Sequence, residues 1–145
     1  MAGSSSFDLN RFIAAQRGVY DSALAEIKRG QKASHWMWFI FPQIAGLGRS
    51  PTARHYAIAS LEEAHAYLAH AELGPRLRTC AAAAADLRGR TALQVFGSPD
   101  DLKLRSSMTL FEVADAEDPV FGRVLDTLCS GKRDEATLRL ISAAT

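Results

Sequence analysis

The stretch SPDDLKLRSSMTLF, residues 98–111, carries the clearest helix start in the chain. Ser98 is a good N-cap, Pro99 fits the first helical position, and the two acids that follow suit the positive end of a helix dipole. Leu104 and Met108 then continue at helical spacing. The stretch therefore predicts a helix with one apolar stripe, and it sets the fold class for the rest of the chain.

Start and stop signals of the same kind recur along the sequence. The starts are Ser50-Pro51, Ser60-Leu61-Glu62-Glu63, Gly74-Pro75, Asp118-Pro119 and Asp134-Glu135. No segment alternates apolar and polar residues with period two, and no Asn-Gly or Asp-Gly hairpin signal occurs. We therefore predict an all-α fold, a compact single-domain bundle of about seven short helices. Gly18 either separates two helices or only weakens one, and residues 91–96 form one helical turn or two.

Length and charge limit the class of protein. The chain has 145 residues, with 17 basic and 16 acidic side chains and a net charge of +1. We assign residues 7–145 to one helical domain and residues 1–6, MAGSSS, to a flexible lead. The balanced charge argues against nucleic acid or an anionic membrane as a partner. Oligomeric state is left open.

Cysteine and histidine usage predicts no metal, no cofactor and no disulfide framework. Cys80 and Cys129 lie far apart, and neither belongs to a CxxC motif. The four histidines form no compact ligand pattern. No signal-peptide pattern begins the chain, so we expect a cytoplasmic protein. No standard catalytic constellation is visible, and no catalytic residue is predicted.

The segment SHWMWFIFPQ, residues 34–43, is apolar on every side of a helix or a strand, which is typical of a central core segment. Its polar groups permit a second interpretation. His35, two indole N–H groups on Trp36 and Trp38, and the Gln43 amide all need partners if they are buried. Such groups at the edge of an aromatic cluster suit the floor of a ligand pocket.

A second polar strip lies on the helix predicted from residues 98–111. At 100° per residue, Asp100, Lys103 and Ser107 fall along one flank of that helix. They form either a solvated ion pair beside a packing serine or part of a binding strip. The candidate ligand-binding residues are therefore His35, Trp36, Trp38, Gln43, Asp100, Lys103 and Ser107.

Four stretches together resemble a known family. They are KASHWMWFIFPQIAGLGRSPTARHYAI, YLAHAELGPRL, FGSPDDLKLRSSMTLF and GKRDEATLRL. The chain resembles, from about residue 7 to residue 140, the bacterial domain-of-unknown-function family numbered eighteen-ten, some of whose members carry the name calpastatin. The resemblance implies a compact, mostly helical cytosolic domain and no particular reaction.

A looser resemblance concerns NADAR domains, the YbiA-like N-glycosidases that act on riboflavin intermediates or ADP-ribose-type substrates. The order of a Trp-rich motif, an EEA…YL helix, a Lys-bearing helix and the ending LCSGKRDEATL is similar to theirs. Those domains carry a Glu-His pair, whereas here Ser34 precedes His35.

Three functions follow as hypotheses, while the biochemical role itself stays unknown. The first is binding of a small polar, nucleotide-like ligand by the candidate residues. The second, implied by the looser resemblance, is an N-glycosidase acting on a nucleotide-derived substrate. The third is a non-enzymatic helical interaction module, which predicts an exposed aromatic patch and self-association.

Overall fold

Every regular element in the part of the chain that the structure describes is a helix. The structure is a computed structural model, and it describes residues 7–144. Over those residues ten helices follow one another: α1 (Asn10–Gln16), α2 (Tyr20–Lys28), α3 (Met37–Ile40), α4 (Pro51–His55), α5 (Leu61–Ala69), α6 (Leu73–Ala85), α7 (Ala92–Phe96), α8 (Asp100–Ala114), α9 (Val120–Leu128) and α10 (Glu135–Ala144). The all-α prediction is confirmed.

The predicted number of about seven helices is wrong, because single helical turns leave little periodicity in a sequence. Helix α3 has four residues and α7 has five, so neither repeats its pattern once. Gly18 does separate α1 from α2, with a φ of 75° that favours glycine. The lead predicted over residues 1–6 lies outside the described residues.

Helix α8 lies at the centre of the fold. It packs against α3, α5, α7, α9 and α10, while α6 packs against α2, α5 and α9. Six consecutive residues of α8, 106–111, are all buried. Over these residues α8 is buried on every side, as is typical of an interior helix. The predicted single apolar stripe therefore understates how much of α8 is enclosed.

The start of α8 differs in detail from the prediction. The helix begins at Asp100, Pro99 directly precedes it, and the Ser98 side chain does not cap it. Instead, the Gly97 carbonyl accepts a hydrogen bond from the Asp101 backbone N–H at 2.8 Å. Asp100 and Asp101 lie in the first turn, where their negative charges interact favourably with the positive end of the dipole, as predicted.

The polar residues in the middle of α8 join it to α10. Ser106 Oγ donates a hydrogen bond to the Leu102 carbonyl and lies 3.1 Å from Asp134 Oδ2. Thr109 Oγ1 accepts a hydrogen bond from the Asp134 backbone N–H at 3.0 Å. These short side chains satisfy their own polarity locally and let α10 approach closely. Ser106 and Thr109 in the interior of α8 thus have a structural reason.

The Ser60 cap is half of the predicted capping box. Ser60 Oγ accepts a hydrogen bond from the Glu63 backbone N–H at 3.2 Å. The Glu63 carboxylate instead accepts from the Ala59 backbone N–H at 2.7 Å and pairs with Arg11 at 3.0 Å. Glu63 therefore ties α1 to α5, rather than closing the cap on itself.

Candidate functional site

Trp36 belongs to the core and not to a cavity wall. Its side chain is fully buried, and its ring packs against Phe41 and Phe96. The indole N–H donates a hydrogen bond to Glu26 Oε1 at 2.8 Å. The donor that made Trp36 a candidate ligand contact therefore already has a buried partner.

Glu26 is the hub that holds the segment leading into α3. Its carboxylate also accepts hydrogen bonds from the Ala33 N–H at 2.7 Å, the Ser34 N–H at 3.0 Å and the Ser34 hydroxyl. Desolvation raises the pKa of Glu26, but the hydrogen bonds from Ser34, Ala33 and Trp36 outweigh it and lower the pKa to about 2. Glu26 is therefore ionised at neutral pH and fixes residues 33–36 in place.

Two lysines flank the two tryptophans, and Asp100 links them. Lys32 Nζ lies 5.0 Å from the centroid of the Trp36 ring and 2.9 Å from Asp100 Oδ2. Lys103 Nζ lies 3.8 Å from the centroid of the Trp38 ring and 3.4 Å from Asp100 Oδ1. Asp100 thus positions both ammonium groups over aromatic faces, where cation–π attraction adds to the ion pairs.

Two adjoining cavities meet at the partly exposed Trp38. The smaller, of about 120 Å³, and the larger, of about 230 Å³, share Trp38, Gln43 and Gly48 as lining residues. The smaller is also lined by Ile44, Ala45, Gly46, Ala53, Arg54, Tyr56 and Ala57. The larger is also lined by Leu47, Pro99, Leu102, Lys103, Ser106 and Asp134. We call this pair of spaces the Trp38 cavity.

A short backbone pairing builds one wall of the Trp38 cavity. Ile44 and Ile58 form an isolated parallel bridge. In it the Ile58 N–H donates to the Gln43 carbonyl and the Ala45 N–H donates to the Ile58 carbonyl, each at 2.8 Å. The pairing fixes the backbone of Gln43 and brings Tyr56 to the same wall. Within residues 7–144 neither the Gln43 amide nor the Trp38 indole N–H has a hydrogen-bond partner.

The seven residues proposed from the sequence separate into three groups. Trp38, Gln43 and Lys103 line the Trp38 cavity, and Asp100 holds Lys103 beside it. Trp36 and Ser107 are buried in the core, and the Ser107 hydroxyl has no hydrogen-bond partner within residues 7–144. The remaining residue, His35, is exposed.

Other lining residues were missed from the sequence. Ser106 lines the larger cavity where Ser107 was expected, because the side chains of adjacent helical residues point about 100° apart. Arg54 and Tyr56 carry no sequence signal for the site, since only the pairing of Ile44 with Ile58 brings them there.

The two cysteines are poorly suited to nucleophilic chemistry. Burial raises the pKa of Cys80 to about 12 and that of Cys129 to about 11, so both are thiols at neutral pH. Among residues 7–144 no group of three or more His, Cys, Asp or Glu side chains could hold a metal ion. The same residues contain no helix with the length and apolar content needed to cross a membrane.

These features define a small all-α protein built round a central helix, with one partly exposed tryptophan in a small cavity. The chain belongs to the family described as "Protein of unknown function (DUF1810)", whose model matches residues 6–141. The family resemblance drawn from the sequence is thereby confirmed.

A solved structure shares this fold. The chain is similar to the conserved hypothetical protein Rv1873 from Mycobacterium tuberculosis, with 49% identity and a TM-score of 0.92. The match covers 94% of this chain and 98% of the other. A comparison with curated proteins returns no match. None of these findings supports the looser resemblance to NADAR domains.

Proposed function

We propose that the Trp38 cavity binds a small, planar, polar ligand of the nucleotide type. The observation that carries the proposal is the pairing of a partly exposed Trp38 ring with an unpartnered Gln43 amide in one cavity. An indole ring offers a stacking face to a heteroaromatic ring. An amide offers one donor and one acceptor, the pair needed to recognise the edge of such a ring.

Charge and size narrow the class of ligand. Lys103 lines the larger space and Arg54 the smaller, so each of the two spaces has one cationic side chain in its lining. Each could hold an anionic substituent, such as a phosphate. Spaces of about 120 and 230 Å³ are small beside the usual 300–1,000 Å³ of drug-sized sites. A single ring system with a short charged substituent fits this volume.

Binding is favoured over N-glycosidase chemistry by the state of the lining carboxylate. Asp134 lines the larger space, but its Oδ2 already accepts hydrogen bonds from the Thr137 N–H and the Thr137 hydroxyl and lies 3.1 Å from Ser106 Oγ. A glycosidase acid or nucleophile has to reach the substrate instead. Asp134 is therefore held in a structural role at the start of α10.

Loss of the stacking face should weaken binding. Thermal shift with nucleosides, nucleotides and ADP-ribose identifies a ligand through a raised melting temperature. For that ligand, Trp38→Ala should raise the dissociation constant about tenfold or more in calorimetry, since stacking contributes roughly 1–3 kcal/mol per base. Gln43→Leu should weaken binding as well, because it leaves the ring edge without a hydrogen-bond partner.

A matched control separates the site from general effects of mutation. Gln31→Leu makes the same chemical change at an exposed glutamine outside the cavity lining, and it should bind normally. If none of the nucleotides or ADP-ribose compounds raises the melting temperature of the wild type, the proposed function is wrong. It is equally wrong if Trp38→Ala and Gln43→Leu bind as tightly as Gln31→Leu.

A further inference from the structure

A second surface carries exposed leucines beside charged side chains. Leu93, Leu102 and Leu138 are 55%, 51% and 38% exposed. Leu93 and Leu102 line a cavity of about 210 Å³ beside α7, α8 and the end of α9. Leu138 lines a wider groove of about 780 Å³ beside α8 and α10. Arg105 and Lys132 line both spaces, so the two form one surface, which we call the leucine face.

Both helices of the leucine face repeat one pattern. On α8, Asp101 and Arg105 are four residues apart, with Leu102 between them in sequence. On α10, Glu135 and Arg139 are four residues apart, with Leu138 between them. Each helix thus presents an acid, an exposed leucine and a base along its length.

Neither acid–base pair forms an ion pair within its own helix. An acid four residues before a base on a helix surface is placed to form a weakly stabilising ion pair. Here neither Asp101 with Arg105 nor Glu135 with Arg139 does so, although nine other ion pairs form among the described residues. One oxygen of Asp101 and Nε of Arg105 are buried with no hydrogen-bond partner within residues 7–144. These two buried atoms cannot reach another molecule, but Glu135 and Arg139 are exposed, and their charges are available to one.

We propose that the leucine face is a contact between two copies of this chain. In a two-fold dimer each patch meets its own copy, so the patch must be complementary to itself. The acid–leucine–base order of α10 meets that condition when the two copies of this helix run antiparallel. The acid of each copy then faces the base of the other, and the leucines meet near the axis. A mixture of both charges fits a second copy better than a partner of one sign.

The single variants Glu135→Arg and Arg139→Glu test the contact by sedimentation velocity. The wild type should dimerise as its concentration rises. Each variant alone should dimerise about tenfold or more weakly, because like charges would then face each other twice across the axis. An equimolar mixture of the two variants should recover dimers, because opposite charges face each other again.

Two further variants complete the test. Leu138→Asp should weaken the dimer, whereas Val113→Asp should not. Val113 is 39% exposed on α8 and lies outside the lining of both spaces, so it is a matched control. A wild type that stays monomeric up to roughly 1 mM would overturn the proposal, since it leaves the face to a different partner. Dimers that persist in both charge variants, or a mixture that fails to recover them, would overturn it too.

Discussion

Glu26→Ala should lower the free energy of unfolding by about 4 kcal/mol, one of the two largest effects expected in this chain. The substitution removes the acceptor for the buried Trp36 indole N–H and for the backbone N–H groups of Ala33 and Ser34. The buried Trp36 donor left without a partner costs roughly 1–3 kcal/mol, and the part-buried N–H groups of Ala33 and Ser34 add to that loss. Urea denaturation at pH 7 measures the loss.

The pH dependence of stability distinguishes the effect of the Glu26 charge from the effect of the side chain's shape. The folded-state pKa of Glu26, about 2, is below its ordinary value, so the stabilisation by ionised Glu26 is complete above the unfolded pKa. It is lost as the pH falls through about 2. The stability difference between wild type and Glu26→Gln should therefore shrink by roughly 3 kcal/mol from pH 6 to pH 2. A difference that stays constant over this range would contradict the assigned role.

The importance of Glu26 could not be predicted from the sequence. It is a charged residue on a short helix, and such residues are usually solvated. Only the return of the chain after Gly30 places the backbone of Ala33 and Ser34, and then Trp36, round its carboxylate. Helix starts such as Ser60 were predictable because caps are local, whereas this hub depends on contacts seven to ten residues away.

The candidate site shows the same division between local and tertiary information. Trp38 and Gln43 stood out in the sequence because polar groups edged an aromatic run. Lys103 stood out because it lies on one flank of α8. The sequence did not distinguish Trp36 from Trp38, since an all-round apolar segment does not show which side faces a cavity. The buried hydrogen bond from the Trp36 indole N–H to Glu26 makes that distinction.

Gly74→Ala is the second large effect, and here helix propensity and packing predict opposite signs. Gly74 lies in the first turn of α6, where alanine would ordinarily stabilise a helix by up to about 1 kcal/mol. A Cβ at this position would lie 2.1 Å from the Leu68 backbone oxygen in the last turn of α5. A backbone carbonyl cannot swing aside as a flexible side chain can, so α5 and α6 must separate.

Separation of these helices disturbs a fully buried region. Tyr67 and Leu73, on either side of the corner at which α5 turns into α6, are completely buried. We therefore expect Gly74→Ala to destabilise the protein by about 3 kcal/mol, near the upper end of the cost of overpacking. Gly89→Ala is the control, because its Cβ would meet no atom within 4 Å and only its φ of 69° is unfavourable. That strain costs roughly 1–2 kcal/mol. If urea denaturation shows Gly74→Ala to be no less stable than Gly89→Ala, the corner yields and the close approach of α5 to α6 is not rigid.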